Sequence, residues 1–400
     1  MYCHDARGLG HTARSLSIAS YISQKIDRCT ILLLTDLSIV GKFKIPSNVD
    51  YVHLPGVIYE KQDEFRPKNL NIRAKKVLRL RCKIAQSAAK TFKPQVMVID
   101  RDPLQMPKEM KRNLGFMREV MPKTQLIWSL PDVLGDPQMI TQAWEQGKAY
   151  KTLHHYTDEI WIYGAKEIFD ATEQYKFPET LRKKTLFTGY FKAPALPAQQ
   201  KPKDLTDLHL EKPFVVVTAG SGVRGSRLIE TYMKLLSSAG DHFPFQSVVI
   251  TGPMMHSRKK GELRERAASL PNVIFHRYSK HILQYIKYAD LVISNGGYNT
   301  LCEILSYNKK AILIPDAEPP QEHLLRAQIF HQLGYVDLLP MNQLTVEKLG
   351  EKISALLPGP AALPFRKMNS EIPMNGLDRI VERLNQISEK PNLKIKKNAI

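Results

Sequence analysis

The chain has 400 residues, 43% hydrophobic and 24% charged, with a net charge of +19; this is no disordered or fibrous composition, and beyond about 250–300 residues two cores are expected rather than one. No stretch approaches the roughly 20 apolar residues of a membrane span, and the N-terminus lacks the charged and apolar regions of a signal peptide. Cys3, Cys29, Cys82 and Cys302 stand too far apart for a disulfide framework or a metal motif, so reduced thiols in a cytoplasm are expected.

In chain order, only Met1-Tyr2-Cys3 precede the first loop, so the first strand is expected to be very short, or shortened by a late start codon. His4-Asp5 and the turn Gly8-Leu9-Gly10-His11 follow and run into a helix. Apolar β-rich runs stand at 29–35, 96–99, 125–128 and 159–163, and again at 214–218, 247–251, 291–294 and 310–314. Runs that are apolar throughout predict parallel strands buried on both faces, and helical stretches between them predict a doubly wound α/β architecture. Three prolines within 193–202 mark a linker. Two Rossmann-like halves are therefore expected, 1–192 and 206–370, joined by 193–205 and followed by a helix and basic tail over 371–400.

The positive charge is concentrated. Arg66, Lys68, Arg73, Lys75, Lys76, Arg79, Arg81, Lys83, Lys90 and Lys93 occur without an intervening acid, and Lys394, Lys396 and Lys397 close the chain. Leu78, Cys82, Ala85, Ala89 and Phe92 recur at helical spacing and predict an inward face. The other face is either a solvated surface or a seat for a phospholipid headgroup, a lipid-linked acceptor or an anionic glycan. Nucleic acid is not expected, because neither a recognition motif nor an aromatic platform accompanies the charge.

Each half has a glycine-rich strand-to-helix turn: Gly8-Leu9-Gly10-His11, and Gly220-Ser221-Gly222-Val223-Arg224-Gly225. Glycine permits close backbone approach, and a helix start presents N–H groups and a positive dipole end, so both suit a phosphate. Both also imitate a dinucleotide fingerprint, Gly8-x-Gly10-x-x-Ala13 with Asp36 and Gly220-x-Gly222-x-x-Gly225. That pattern is weak, the second copy has no acid after its next strand, and the first sets a histidine in the turn.

The segment Ser294-Asn295-Gly296-Gly297-Tyr298-Asn299-Thr300-Leu301-Cys302-Glu303 reads as a strand end, a glycine turn and a helix start with Asn299 or Thr300 as cap. Glu303 is placed to take the hydroxyls of a ribose while Gly297, Asn299 and Thr300 face a diphosphate; a capping box involving Glu303 is the competing explanation. Farther on, Glu322, His323 and Arg326 open a helix after the loop Pro315-Asp316-Ala317-Glu318-Pro319-Pro320, either to bind sugar hydroxyls or as a polar surface.

With His4-Asp5…Gly8-Leu9-Gly10-His11, Phe187-Thr188-Gly189-Tyr190, Gly296-Gly297-Tyr298-Asn299-Thr300…Glu303 and Glu322-His323-Leu324-Leu325-Arg326-Ala327, the chain resembles the GT-B glycosyltransferases related to glycosyltransferase family 28. It is similar within them to an uncharacterised branch of predicted glycosyltransferases. The resemblance implies two Rossmann-like domains facing across a cleft, with the acceptor on the first and a uridine diphosphate sugar on the second. It assigns ribose binding to Glu303, phosphate contacts to Gly297, Asn299, Thr300 and the Ser221-Gly222 turn, sugar contacts to Glu322 and His323, and the base pocket to Arg277-Tyr278, with Gly296 also in the donor-binding set. Glu322-His323 stands where the family commonly has Glu-Gln. Arg224 stands where relatives tend to be neutral or acidic, and either meets the diphosphate or faces solvent.

Inverting transfer needs a base for the acceptor hydroxyl and stabilisation of the leaving diphosphate. His11 is the candidate base, or a capping histidine. Asp100 and Asp132 are candidates to orient it, Gly10 joins the donor-binding set, and His4 and Asp5 are reserves. No metal or other cofactor is expected beyond the nucleotide sugar itself, for no Asp-x-Asp motif is present. A nucleotide-sugar epimerase and a catalytically silent nucleotide-sugar-binding protein are the alternatives on the same fold.

Overall fold

A computed structural model describes residues 1–5, 8–61, 64–106, 108–196, 202–206, 212–238, 245–270, 272–357 and 371–389. The basic tail at Lys394, Lys396 and Lys397 and the middle of the linker, 197–201, lie outside these. The chain divides into two compact units, Met1–Phe191 with Pro373–Ile400, and Lys192–Ile372.

The first unit holds β1 (Tyr2–Cys3), β2 (Ile31–Thr35), β3 (Val49–His53), a hairpin of β4 (Val57–Lys61) and β5 (Glu64–Pro67), then β6 (Val96–Asp100), β7 (Gln125–Pro131), β8 (Glu159–Tyr163) and β9 (Thr185–Phe187). Seven of these form one parallel sheet in the order β3-β2-β1-β6-β7-β8-β9. Short as it is, β1 lies in the middle of the sheet, with Tyr2 opposite Leu34 on one side and Ile99 on the other. The strand order reverses at β1, so the carboxyl ends of β1 and β6 open side by side, the place where doubly wound sheets hold ligands. Continuously apolar strands are buried as expected: every residue of β8 is buried.

The helix Ala74–Phe92 turns Val77, Leu78, Cys82, Ala85 and Ala89 inward. Two expectations are corrected there. Phe92, the last residue of that helix, is 39% exposed, beyond the reach of the core. Arg81 is fully buried, its Nη1 donating to Asp36 Oδ2 at 3.3 Å and to the Pro55 carbonyl at 2.5 Å, and so is no part of the surface charge.

The helix Gly376–Ser388 belongs to this unit rather than standing alone. Tyr190 N donates to Pro373 O and Gly376 N to Tyr190 O, both at 2.9 Å. Arg383 then forks onto the buried carboxylate of Glu159, with Nε 3.0 Å from Oε2.

The second unit has six parallel strands: β10 (Phe214–Thr218), β11 (Gln246–Ile250), β12 (Val273–His276), β13 (Leu291–Ser294), β14 (Lys310–Leu313) and β15 (Asp337–Leu338), in the order β12-β11-β10-β13-β14-β15. The order reverses at β10, where Thr218 lies opposite Ser294, so the two glycine turns leave the sheet as neighbours. Val215, Val216 and Val217 have no exposed surface, each contributing about 1.5–3 kcal/mol by burial. The linker is anchored to this unit on both sides of 197–201. Ala193 N donates to Ser306 Oγ at 2.8 Å, and Leu205 is fully buried.

Candidate functional site

In the second unit, Gly296 adopts φ +77°, a left-handed conformation that reverses the chain after β13. Gly297 then caps the helix Tyr298–Ser306 in extended conformation, without any side-chain cap. This corrects the expected cap: Asn299 and Thr300 lie inside the first helical turn, because the glycine pair completes the reversal before them. It also removes the capping box, since Glu303 is the sixth helical residue and its N-cap is a glycine.

Glu303 is half-buried and its carboxyl has no hydrogen-bond partner among the described residues. Burial pushes its carboxyl from an ordinary value of 4.5 up to about 8. Two further groups are left over at the carboxyl end of the same sheet: Asn295 Oδ1 and Thr251 Oγ1 are buried and have no partner among the described residues, at a cost of about 1–3 kcal/mol each that a ligand would offset.

The glycines of the first turn serve two purposes. Gly222 has φ +91°, and a Cβ there would stand 2.4 Å from Thr251 O; a Cβ on Gly225 would stand 2.1 Å from that of Ala219. Those two are required by packing of the turn against its own surroundings. Gly220, at φ +60°, has open space around it, and Ser221 beside it is half-buried. Arg224 is directed to two acids of the loop after β14, with Nη1 3.5 Å from Asp316 and Nη2 3.4 Å from Glu318. Such exposed pairs are weak, about 0–1 kcal/mol, and exchangeable.

Glu322 Oε1 accepts from Nη2 of the buried Arg326 at 2.9 Å, and that guanidinium lies over the Tyr298 ring at 5.8 Å. His323 Nε2 lies 3.8 Å from where a Cβ of Gly297 would be. Burial lowers the proton affinity of His323, against the pull of Glu322 and with the push of Arg326 and Arg224. Gly297, Glu322, His323 and Arg224 are thus one neighbourhood. Tyr278 sits half-buried just past β12, beside the exposed Arg277. The residue before them, His276, is held by Asp204 at 2.8 Å, which also accepts from Tyr285 Oη at 2.5 Å. Nothing local in the sequence marks this cluster, because Asp204 reaches it from the linker.

In the first unit, Asp5 takes over the helix start after Gly10: its two oxygens accept from His11 N at 3.1 Å and Thr12 N at 2.7 Å. Asp5 is thereby committed. His4 is fully buried against Asp36 at 2.9 Å, and burial, with Arg101, holds its imidazole down to about 3. Neither reserve candidate is available as a base. His11 is: its ring is 30% exposed and Nδ1 donates to Asp100 Oδ1 at 2.9 Å. Burial alone would raise the Asp100 carboxyl, but Arg14 and His11 bring it down to about 2. Asp132 is not brought to His11 by any described contact; it is buried and accepts from Tyr190 Oη at 3.2 Å, because β7 runs on to Pro131 and carries Asp132 with it. Arg14 was not anticipated; its position three residues after His11 was the available signal.

The family model for the glycosyltransferase family 28 C-terminal domain matches residues 214–384. Over that stretch the chain is similar to glycosyltransferase family 28 C-terminal domains. The glycine turns of the second unit, Glu303 and Glu322-His323 all fall within the match. The resemblance to the GT-B glycosyltransferases related to family 28, drawn from these motifs, is borne out. A UDP-N-acetylglucosamine--N-acetylmuramyl-(pentapeptide) pyrophosphoryl-undecaprenol N-acetylglucosamine transferase of Natranaerobius thermophilus is 26% identical over 190 residues, 45% of this chain. The chain spans about half the length of that relative, 52%. In fold, the chain is similar to CalG4, the calicheamicin glycosyltransferase, with a TM-score of 0.62 at 14% identity and 98% coverage of both chains. MurG of Acinetobacter baumannii follows, with a TM-score of 0.56 at 12% identity and 96% and 98% coverage. A structure titled as a putative UDP-N-acetylglucosamine 2-epimerase from Listeria monocytogenes has a TM-score of 0.61 at 10% identity and 100% and 98% coverage. The expected fold class, two Rossmann-like halves of GT-B type, is therefore the observed one.

Proposed function

We propose that the chain transfers a sugar from a uridine diphosphate sugar held by the second unit to an acceptor held by the first, with inversion and without a metal. The observation that carries this is Glu303: a half-buried carboxyl with no partner among the described residues, one turn into a helix that lacks a side-chain cap, in the stretch that matches the family 28 C-terminal domain. A ribose diol would satisfy it, and the N–H groups at the helix start would take the diphosphate. Arg224 would exchange Asp316 and Glu318 for phosphate oxygens. His11 Nε2 would accept the acceptor's hydroxyl proton as that oxygen attacks the anomeric carbon, and the C–O bond to the diphosphate would break on the opposite side. Glu322 and His323 would contact the sugar.

The test is a thermal-shift screen with UDP and UDP-sugars. At about 100 times its dissociation constant a ligand adds roughly 2.7 kcal/mol, a rise of about 2–4 °C in Tm. No shift with any uridine nucleotide would sink the proposal. The fold likeness to the epimerase favours a second reading, isomerisation of the donor sugar; an isomerised UDP-sugar formed without acceptor would establish it. Binding without either product would mark a silent binding protein.

The acceptor is proposed to be anionic or lipid-linked, as the relative's name specifies an undecaprenol carrier, which would put the chain at the inner face of the cytoplasmic membrane. No helix among the described residues is long and apolar enough to cross one. Lys75, Lys76, Arg79 and Lys83 are exposed on the helix Ala74–Phe92, close in sequence to the exposed Leu70, Ile72 and Leu80. Vesicles containing anionic lipid are expected to retain the chain at low salt and release it at about 0.5 M salt; no retention at low salt would remove the membrane contact.

A further inference from the structure

Arg14 lies one turn after His11 on the helix Gly10–Lys25, so both side chains reach the same carboxylate of β6. The buried guanidinium grips Asp100 at two points, Nε to Oδ2 at 2.9 Å and Nη2 to Oδ1 at 2.6 Å. His11 Nδ1 meets that same Oδ1 at 2.9 Å, and Arg14 Nη2 stands 3.1 Å from Nδ1. This geometry decides the tautomer. Oδ1 of the carboxylate can only accept and stands nearer, at 2.9 Å, whereas Arg14 Nη2, 3.1 Å from Nδ1, already donates to that Oδ1 at 2.6 Å; the balance puts the proton on Nδ1 and the lone pair on Nε2. The same geometry decides the charge balance. In a simple histidine–carboxylate pair, proton uptake at Nε2 yields a neutral pair. Here the single charge of Asp100 is already shared with a guanidinium, and proton uptake leaves a net positive cluster.

We propose that Arg14 is a positioning residue for His11: it fixes Asp100 so that His11 keeps the Nδ1–H tautomer with Nε2 open, and its charge offsets the pull of Asp100 on a proton at Nε2. The inference rests on the reading of His11 as the base. The charged groups concerned are Asp100 and Asp102 from β6 and its end, Asp5 at the helix start, and Arg14 itself, whose guanidinium also lies over the Tyr163 ring at 5.4 Å.

Long-range 1H–15N spectra of 15N-histidine-labelled protein test this, with the His11 signals identified by their loss in His11→Gln. The wild-type chain is expected to show Nδ1–H in the neutral ring. In Arg14→Gln the titration midpoint of His11 should rise by about one pH unit, the size of effect expected of one nearby charge. In Arg14→Lys the charge remains but the fork is lost, so the midpoint should stay near wild type while the two tautomers mix. Equal midpoints in wild type and Arg14→Gln, or Nε2–H in the wild type, would overturn the proposal. Should Arg14→Gln not fold, Arg14→Lys decides the positioning role: a pure Nδ1–H tautomer in that variant would overturn it. The spectra need no acceptor or turnover. Failure of the base assignment would show separately, as undiminished transfer by His11→Ala.

Discussion

His11→Ala is expected to lower kcat for sugar transfer by about 10²–10⁴-fold, the contribution of a positioned general base, with little change in the affinity for UDP. The ring is accessible, its Nδ1 is anchored on Asp100, and the other basic candidates of this unit are spent: His4 is buried and neutral, and Asp5 caps the helix. Asp100→Asn should act in the same direction, because an amide can present its N–H to Nδ1 and stabilise the wrong tautomer. Asp132→Asn should not, because Asp132 meets Tyr190. Steady-state transfer to a verified acceptor over pH 5–9 separates these outcomes, and full activity in His11→Ala would end the base assignment. Asp100 itself adds no limb to that profile: its carboxyl, ordinarily near 3.8, is held at about 2. The stability it contributes is complete above 3.8 and disappears only as pH falls through 2.

Replacement of Glu303 is the second large effect. Glu303→Ala should weaken UDP binding by about 100-fold, the loss of two hydrogen bonds to a charged group, whereas UMP and UDP should remain ranked as in the wild type because the phosphate contacts are untouched. Titration calorimetry measures both, and unchanged affinity would remove Glu303 from the ribose site. The same residue makes stability depend on pH. Between 4.5 and about 8 the unfolded chain releases the Glu303 proton and the folded chain keeps it. Its contribution is therefore intact below 4.5 and is lost as pH rises through 8. Glu303→Gln should flatten that decline, and ligand binding to the wild type at pH 7 should release a proton that the Gln variant does not.

Much of the fold is legible in the chain because buried parallel strands need long apolar runs: β8, β10 and β13 coincide with runs read directly from the residues. The strands that were not read are those with another physical basis. β3 is an edge strand with an alternating pattern, β4 and β5 form a separate antiparallel hairpin, and β9 and β15 are three and two residues long. The linker was legible as proline-rich, but not its hold on the second unit through Ser306 and Asp204, since both contacts span about 70 residues or more.

For the site, the glycine turns, Glu303, Glu322-His323 and His11 were marked by residue type and spacing, because a reversal into a helix start needs glycine and a polar first turn, and the resemblance gave Glu303 and Glu322-His323 their expected roles. Which of these groups are available is a matter of tertiary structure. Asp100 and Asp132 both follow apolar strands and look alike in sequence; strand order sets β6 next to β1, so Asp100 meets His11, while Asp132 is carried to Tyr190. His4, Asp5 and Arg81 look as reactive or as exposed as His11 and Lys83, and only packing shows them buried or committed. The sequence by itself determined two doubly wound halves and the glycine turn that leads to Glu303 in the second, for these depend on local pattern. The tertiary structure decided which titratable groups keep a free face, since that depends on neighbours far apart in the chain.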